Sequence, residues 1–120
     1  LLVAGELERA MRLMRRHDPQ LAEDGFEWLR AIAGEHVDEL IFEFARETDH
    51  GLRCWLLELI GEARSPHAFD VLVAQLRGGD ESLRCWAEQG LRLLDTKDAR
   101  RVLWQHRRNE PPGFPPARGP

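Results

Sequence analysis

The sequence predicts an all-α protein, a solenoid of about seven helices, on two observations: a 31-residue internal period, and helical spacing of the apolar residues inside each period. Leu52-Arg53-Cys54-Trp55 returns 31 residues later as Leu83-Arg84-Cys85-Trp86. The same offset pairs Ile60 with Leu91, Ala68 with Ala99, Val71 with Val102 and Leu72 with Leu103. Carried backwards, it pairs Leu52 with Leu21, His67 with His36 and Leu72 with Ile41. A period of about 20 to 50 residues marks stacked repeats, none of which can bury its apolar face alone.

The half repeat comes first. Residues 6–17 register with the second helix of each later unit, Ala10 with Ile41 and Leu13 with Phe44. Three full repeats succeed it, 18–48, 49–79 and 80–108, each an A helix, a short break and a B helix. In the second repeat Leu52, Trp55, Leu56, Leu59, Ile60 and Ala63 make one broad stripe on the A helix. Leu83, Trp86, Ala87, Gly90, Leu91 and Leu94 repeat it, as do Leu21, Gly25, Trp28, Leu29 and Ile32, with Asp24 a polar intruder. The breaks fall at Gly34-Glu35, Arg64-Ser65-Pro66 and Asp95-Thr96-Lys97. Ser65 and Thr96 can accept from free first-turn amides, and Pro66 suits a first helical position. The B helices carry Val37, Leu40, Ile41 and Phe44, then Ala68, Val71 and Leu72, then Ala99, Val102 and Leu103. The repeats make one domain over residues 1–108. Residues 109–120 hold five of the seven prolines and are expected to be a flexible tail.

The chain has 120 residues, 42% hydrophobic and 32% charged, with a net charge of −4, a balance that disfavours a dedicated nucleic-acid binder. No apolar run approaches the roughly 18 residues that span a bilayer, and the opening residues are too short for a signal-peptide core. A cytoplasmic protein is expected. Cys54 and Cys85 occupy equivalent positions on neighbouring repeats, too far apart to bridge when packed helices lie about 8–10 Å apart, so free, partly buried thiols are predicted.

The Leu-Arg-x-Trp start, the apolar pair Leu59-Ile60, the short polar break, Ala68-x-x-Val71-Leu72-x-x-x-Leu76 and the inter-repeat aspartate resemble HEAT-like repeats of the phycobilisome-lyase type over residues 6–107. The resemblance implies antiparallel helix pairs stacked into a superhelix, with B helices on the concave side serving as a protein-binding surface. It also implies that Arg53 and Arg84 pair with the inter-repeat aspartate. Tryptophan stands at Trp55 and Trp86 where such repeats usually carry alanine.

Several columns recur at the repeat spacing. Asp18, Asp49 and Asp80 precede the A helices and read as helix caps. Arg15, Arg46, Arg77 and Arg108 fall near the ends of the B helices, and Glu8, Glu39, Asp70 and Arg101 in their first turns. Helix dipoles account for much of this, favouring cations at C-termini and anions at N-termini. The sharper reading is a ladder of side chains along one face, able to grip a partner protein. With Glu43 and Trp104, the residues Arg15, Glu39, Arg46, Asp70, Arg77, Arg101 and Arg108 are the expected partner-binding set. The face is acidic around Glu39 and Glu43 and basic around Arg101 and Arg108, which suits one oriented protein surface better than a uniform phosphate backbone.

Trp28, Trp55 and Trp86 lie on core stripes, so Trp55→Ala or Trp86→Ala should cost about 3–5 kcal/mol. Trp104 reads as an exposed anchor or as a ring covered by Phe114. The five histidines form no His pair at the spacing of a metallohydrolase, and only the reversed dipeptide Glu35-His36 approaches the His-Glu pairs of HEAT-like di-iron enzymes. No nucleophile elbow, phosphate loop or dinucleotide fingerprint occurs. The expected function is therefore a non-catalytic scaffold that binds a partner protein, without metal or cofactor, with an inhibitor or immunity protein as the nearest analogy. The alternatives are a bilin-lyase-like ligand-handling protein and a nucleic-acid-binding HEAT-like protein.

Overall fold

In the computed structural model, which describes residues 2–109, the chain is all-α with seven helices among the described residues. They are α1 (Leu2–Met14), α2 (Pro19–Ile32), α3 (Val37–Arg46), α4 (His50–Glu62), α5 (Phe69–Leu76), α6 (Glu81–Leu94) and α7 (Lys97–Arg108). The expected tail, from position 110 on, lies outside the described residues, as does Phe114.

The capping column is what starts α2, α4 and α6. Asp18 accepts from the amides of Gln20 and Leu21 at 2.9 and 3.2 Å, Asp49 from Leu52 at 3.0 Å, and Asp80 from Leu83 at 2.9 Å. Thr96 does the same for α7 through Ala99, at 3.1 Å. Each satisfies an amide that the first turn leaves without a partner. Ser65 accepts from His67 at 3.1 Å, but the chain then makes a 3-10 turn over Pro66–Ala68, so α5 starts only at Phe69 and runs eight residues.

Arg53 and Arg84 do not pair with the inter-repeat aspartate. Arg53 Nη1 donates to the carbonyls of Phe44 and Glu47 at 2.7 and 3.1 Å, and its guanidinium lies 4.0 Å from the centre of the Phe44 ring. Arg84 Nη1 donates to the Gly78 carbonyl at 2.9 Å. The end of a helix leaves carbonyls unpaired, and there an arginine that reaches back is worth more than one more exposed ion pair.

Packing runs sequentially: α1 lies on α2, α3 on α4, α5 on α6 and α6 on α7, while α4 also lies along α6. Two contacts are close because glycine permits them. A Cβ on Gly25 would sit 2.5 Å from the Met14 nitrogen and 2.7 Å from the Ala10 oxygen; one on Gly61 would sit 2.8 Å from the Gly90 Cα. The core runs through these seams from Leu7, Ala10 and Met14 through Leu29, Leu40, Leu56 and Ile60 to Leu72, Leu91 and Leu103. The molecule is elongated, 49 × 30 × 24 Å, with a radius of gyration of 15.4 Å against about 13–14 Å for a compact chain of this length.

The A-helix stripes shift from their predicted places. In α2 the buried residues are Ala22, Gly25, Phe26 and Leu29, with Trp28 at the margin and Asp24 exposed. Phe26 points inward and meets the Trp55 ring at 4.9 Å. Trp55 and Trp86 are half-buried as well, because Leu56, Leu57 and Ala87 occupy the innermost positions.

Candidate partner-binding face

Helices α1, α3, α5 and α7, with the residues that directly follow them, carry every residue of the expected binding set. Their end positions fall as the column requires: Arg46 and Arg108 are the last residues of α3 and α7, while Arg15 and Arg77 follow α1 and α5 directly. Glu39 and Asp70 are exposed in the first turns of α3 and α5.

Not all of these groups are free. Arg15 Nη2 donates to Glu47 Oε1 at 2.8 Å and to Glu43 Oε1 at 3.4 Å, tying α1 to α3. Burial works against the Arg15 charge, but its bonds to Glu47 and Glu43 outweigh that and raise its pKa. Arg15, followed by the Asp49 amide, holds the Glu47 carboxyl below the usual range. Glu43 also lies 3.8 Å from Arg46. Arg101 is engaged by Asp98 of its own helix at 3.3 Å. Glu39 faces the buried His36, whose Nδ1 lies 3.4 Å away and makes no hydrogen bond.

Among the described side chains of these helices two large apolar ones stand open: Phe42 on α3 is 60% exposed and Trp104 on α7 is 58% exposed. Each lies under an arginine one turn on, Arg46 at 5.2 Å from the Phe42 ring centre and Arg108 at 4.9 Å from the Trp104 ring. Sequence reasoning marks Trp104 and misses Phe42, although the signal is present. Phe42, half-buried Val73 and Trp104 are spaced 31 residues apart, each three positions after Glu39, Asp70 or Arg101 and four before Arg46, Arg77 or Arg108. Met11, one period earlier, is buried and does not extend the series.

Phe42 also lines a groove of about 300 Å³ between α1 and α3, together with Leu7, Glu8, Asp38, Glu39 and Glu43. Four carboxylates around an apolar floor favour a cationic segment with an apolar anchor. At the other end α7 presents Trp104 among Arg100, Arg101, Arg107 and Arg108, all exposed.

One cluster has the composition of a nucleophilic site. His50 Nε2 lies 2.9 Å from Asp80 Oδ2 and 3.9 Å from Cys54 Sγ. Both neighbours contend for the same ring nitrogen, so the atom that would have to take the thiol proton is already held by the carboxylate. Burial, and after it Asp80, pushes the Cys54 thiol up, against thiolate formation. Both cysteines are free, and Cys85 is exposed where a partly buried thiol was expected. Among the described residues no group of three or more His, Cys, Asp or Glu side chains could hold a metal ion, and no helix is long and apolar enough to cross a membrane.

Compared with family models, curated proteins and solved structures, the chain matches none.

Proposed function

We propose that this chain is a short solenoid of HEAT-like repeats that binds a partner protein, without catalysing a reaction, through the face carried by α1, α3, α5 and α7. The repeat period and the sequential packing of α3 on α4 and α5 on α6 support the architecture. One observation carries the binding role: Phe42 and Trp104, at repeat-equivalent positions on α3 and α7, are more than half exposed, with an arginine over each ring. A surface aromatic costs solubility unless something covers it, and aromatic rings with arginine dominate the energetics of protein interfaces.

The polarity of the face supports an oriented partner, one that offers basic residues to the α1–α3 groove and acidic residues to α7. A small acidic binding module of this kind fits an inhibitor or immunity role by analogy. The test is affinity capture with wild-type protein and with Phe42→Ala/Trp104→Ala, followed by binding measurements on the captured partner. Both side chains are exposed, so the variant keeps its fold. The expected result is a partner held by the wild type and weakened at least tenfold by the double variant, with Arg46→Glu/Arg77→Glu weakening it further. A partner held equally by all three proteins removes this face from the reading.

A further inference from the structure

We infer a second site on the other side of α1: a cationic cleft that takes a small phosphate-bearing ligand, a nucleoside diphosphate or a similar compact polyanion. It shares Arg15 with the partner-binding set and otherwise does not depend on that face. The cleft has a volume of about 480 Å³ and is lined by Arg9, Arg12, Leu13, Arg15 and Arg16 of α1 and its C-terminal turn, with Trp28 of α2 beside them. Arg9, Arg12, Leu13 and Arg16 are spaced three and four apart, so they share one stripe of the helix.

Positive charge is concentrated in this cleft. Net charge is −4, yet four arginines fall within eight consecutive residues. Among the described residues Arg30, Arg46, Arg92, Arg100 and Arg101 each have a carboxylate within 4.0 Å and Arg53 and Arg84 bond carbonyls, whereas Arg64, Arg77, Arg107 and Arg108 have no such carboxylate. Arg15 is taken by Glu43 and Glu47. Arg9, Arg12 and Arg16 have no carboxylate within that distance among the described residues. The helix dipole favours one or two cations at this end of α1, but gathering three unneutralised guanidinium groups round one cleft works against itself unless an anion enters.

The wall of the cleft is held in place. Trp28 Nε1 donates to Glu6 at 3.0 Å, which fixes the indole, and the Arg9 guanidinium lies 5.7 Å from the ring centre. Guanidinium forks bind phosphate oxygens in pairs, and a phosphate group offers more charge and more acceptors than a carboxylate. A fixed indole adds a surface on which a planar base can stack. The volume is that of a small-molecule site. Glu6, bonded to Trp28, sets a carboxylate beside the cleft, and the net charge of the chain is −4, a setting that favours a compact anion over a long phosphate backbone.

Isothermal titration of the full chain with ADP, inorganic pyrophosphate, adenosine and a 20-nucleotide single strand tests the assignment. ADP and pyrophosphate are expected to bind one to one, ADP the tighter, with no saturable binding of adenosine. Arg12→Ala/Arg16→Ala, with both side chains exposed and unneeded for packing, should weaken ADP at least tenfold while leaving the circular dichroism unchanged. Phe42→Ala/Trp104→Ala should leave ADP binding as it was, so that failure here and failure of the partner-binding face are read separately. The inference is overturned if neither ADP nor pyrophosphate binds at millimolar concentration, if the arginine variant binds like the wild type, or if the oligonucleotide binds more tightly than ADP.

Discussion

Gly25→Ala is expected to loosen the first helix from the rest of the protein, and the spacing of α1 and α2 sets the size of the effect. The new methyl carbon would stand 2.5 Å from the Met14 nitrogen, 2.7 Å from the Ala10 oxygen and 2.8 Å from the Leu13 Cβ. Two of these are backbone atoms, so no rotamer change relieves the contact; α1 must move away by about 1 Å along a seam that includes Ala10 and Met14. Overpacking of this kind costs about 1–3 kcal/mol, against a gain of about 1 kcal/mol for replacing a helical glycine by alanine. Gly5→Ala is the control, since its methyl would meet only the Arg9 side chain at 3.8 Å and so keeps the propensity gain without the clash. Urea unfolding followed by circular dichroism should then rank Gly5→Ala above wild type and Gly25→Ala below it. The two variants should differ by about 1–3 kcal/mol, or about 4 °C in Tm for each kcal/mol. If Gly25→Ala proved as stable as Gly5→Ala, the close approach of α1 to α2 would be wrong.

Four further outcomes can be checked by the same unfolding measurement. Arg53→Ala should cost about 1.5–3 kcal/mol, because it leaves the Phe44 and Glu47 carbonyls without their charged donor, and Arg53→Lys should not restore both bonds. Trp55→Ala should cost about 2–3 kcal/mol, below the range for a wholly buried ring, since Trp55 is half-buried. Glu58→Gln should stabilise the protein at neutral pH: burial and then Glu62 raise the Glu58 carboxyl, so the folded state holds its proton more tightly than the unfolded chain does. The charged form is therefore a burden that appears as pH rises through the folded pKa, and the gain from Gln should vanish below the unfolded value near pH 4. Glu47 has the opposite sign: Arg15 depresses its pKa, so its contribution is present above the unfolded value and lost as pH falls through the folded one, a loss that Glu47→Gln should abolish.

The helices were legible because their signals are local. Asp18, Asp49, Asp80 and Thr96 each cap a helix from within three residues, and the 31-residue period located the breaks without reference to anything distant. What escaped depends on which residue lies deepest once the helices are packed. Trp28 and Phe26 both belong to the apolar side of α2, and periodicity alone cannot say which ring turns inward; the Trp55 ring settles it by meeting Phe26. Periodicity places the A-helix stripe slightly off for the same reason. The arginine partners escape because a carbonyl leaves no mark in sequence, and the pairing with the inter-repeat aspartate that the resemblance implies gives way to backbone oxygens at the helix ends.

The candidate face shows a further limit of reading columns. Arg15 and Glu43 look alike as candidates in sequence, yet they bond to each other across α1 and α3, so part of what reads as a binding ladder acts as an internal strut. Phe42 falls beside the predicted stripe of Val37, Leu40, Ile41 and Phe44 and drew no expectation, yet it is among the most open apolar side chains on the described surface. The two outcomes have one cause. The B helices present a narrow buried stripe, Val37, Leu40 and Phe44 in α3 and Ala99 and Leu103 in α7, and residues just beside it are divided between core and solvent by a small rotation of the helix. On such helices a charge beside the stripe can be consumed by the adjacent helix, while an aromatic beside it can be left in water. Groups left unsatisfied by the fold, more than groups repeated by it, are therefore the better guide to where another molecule would bind.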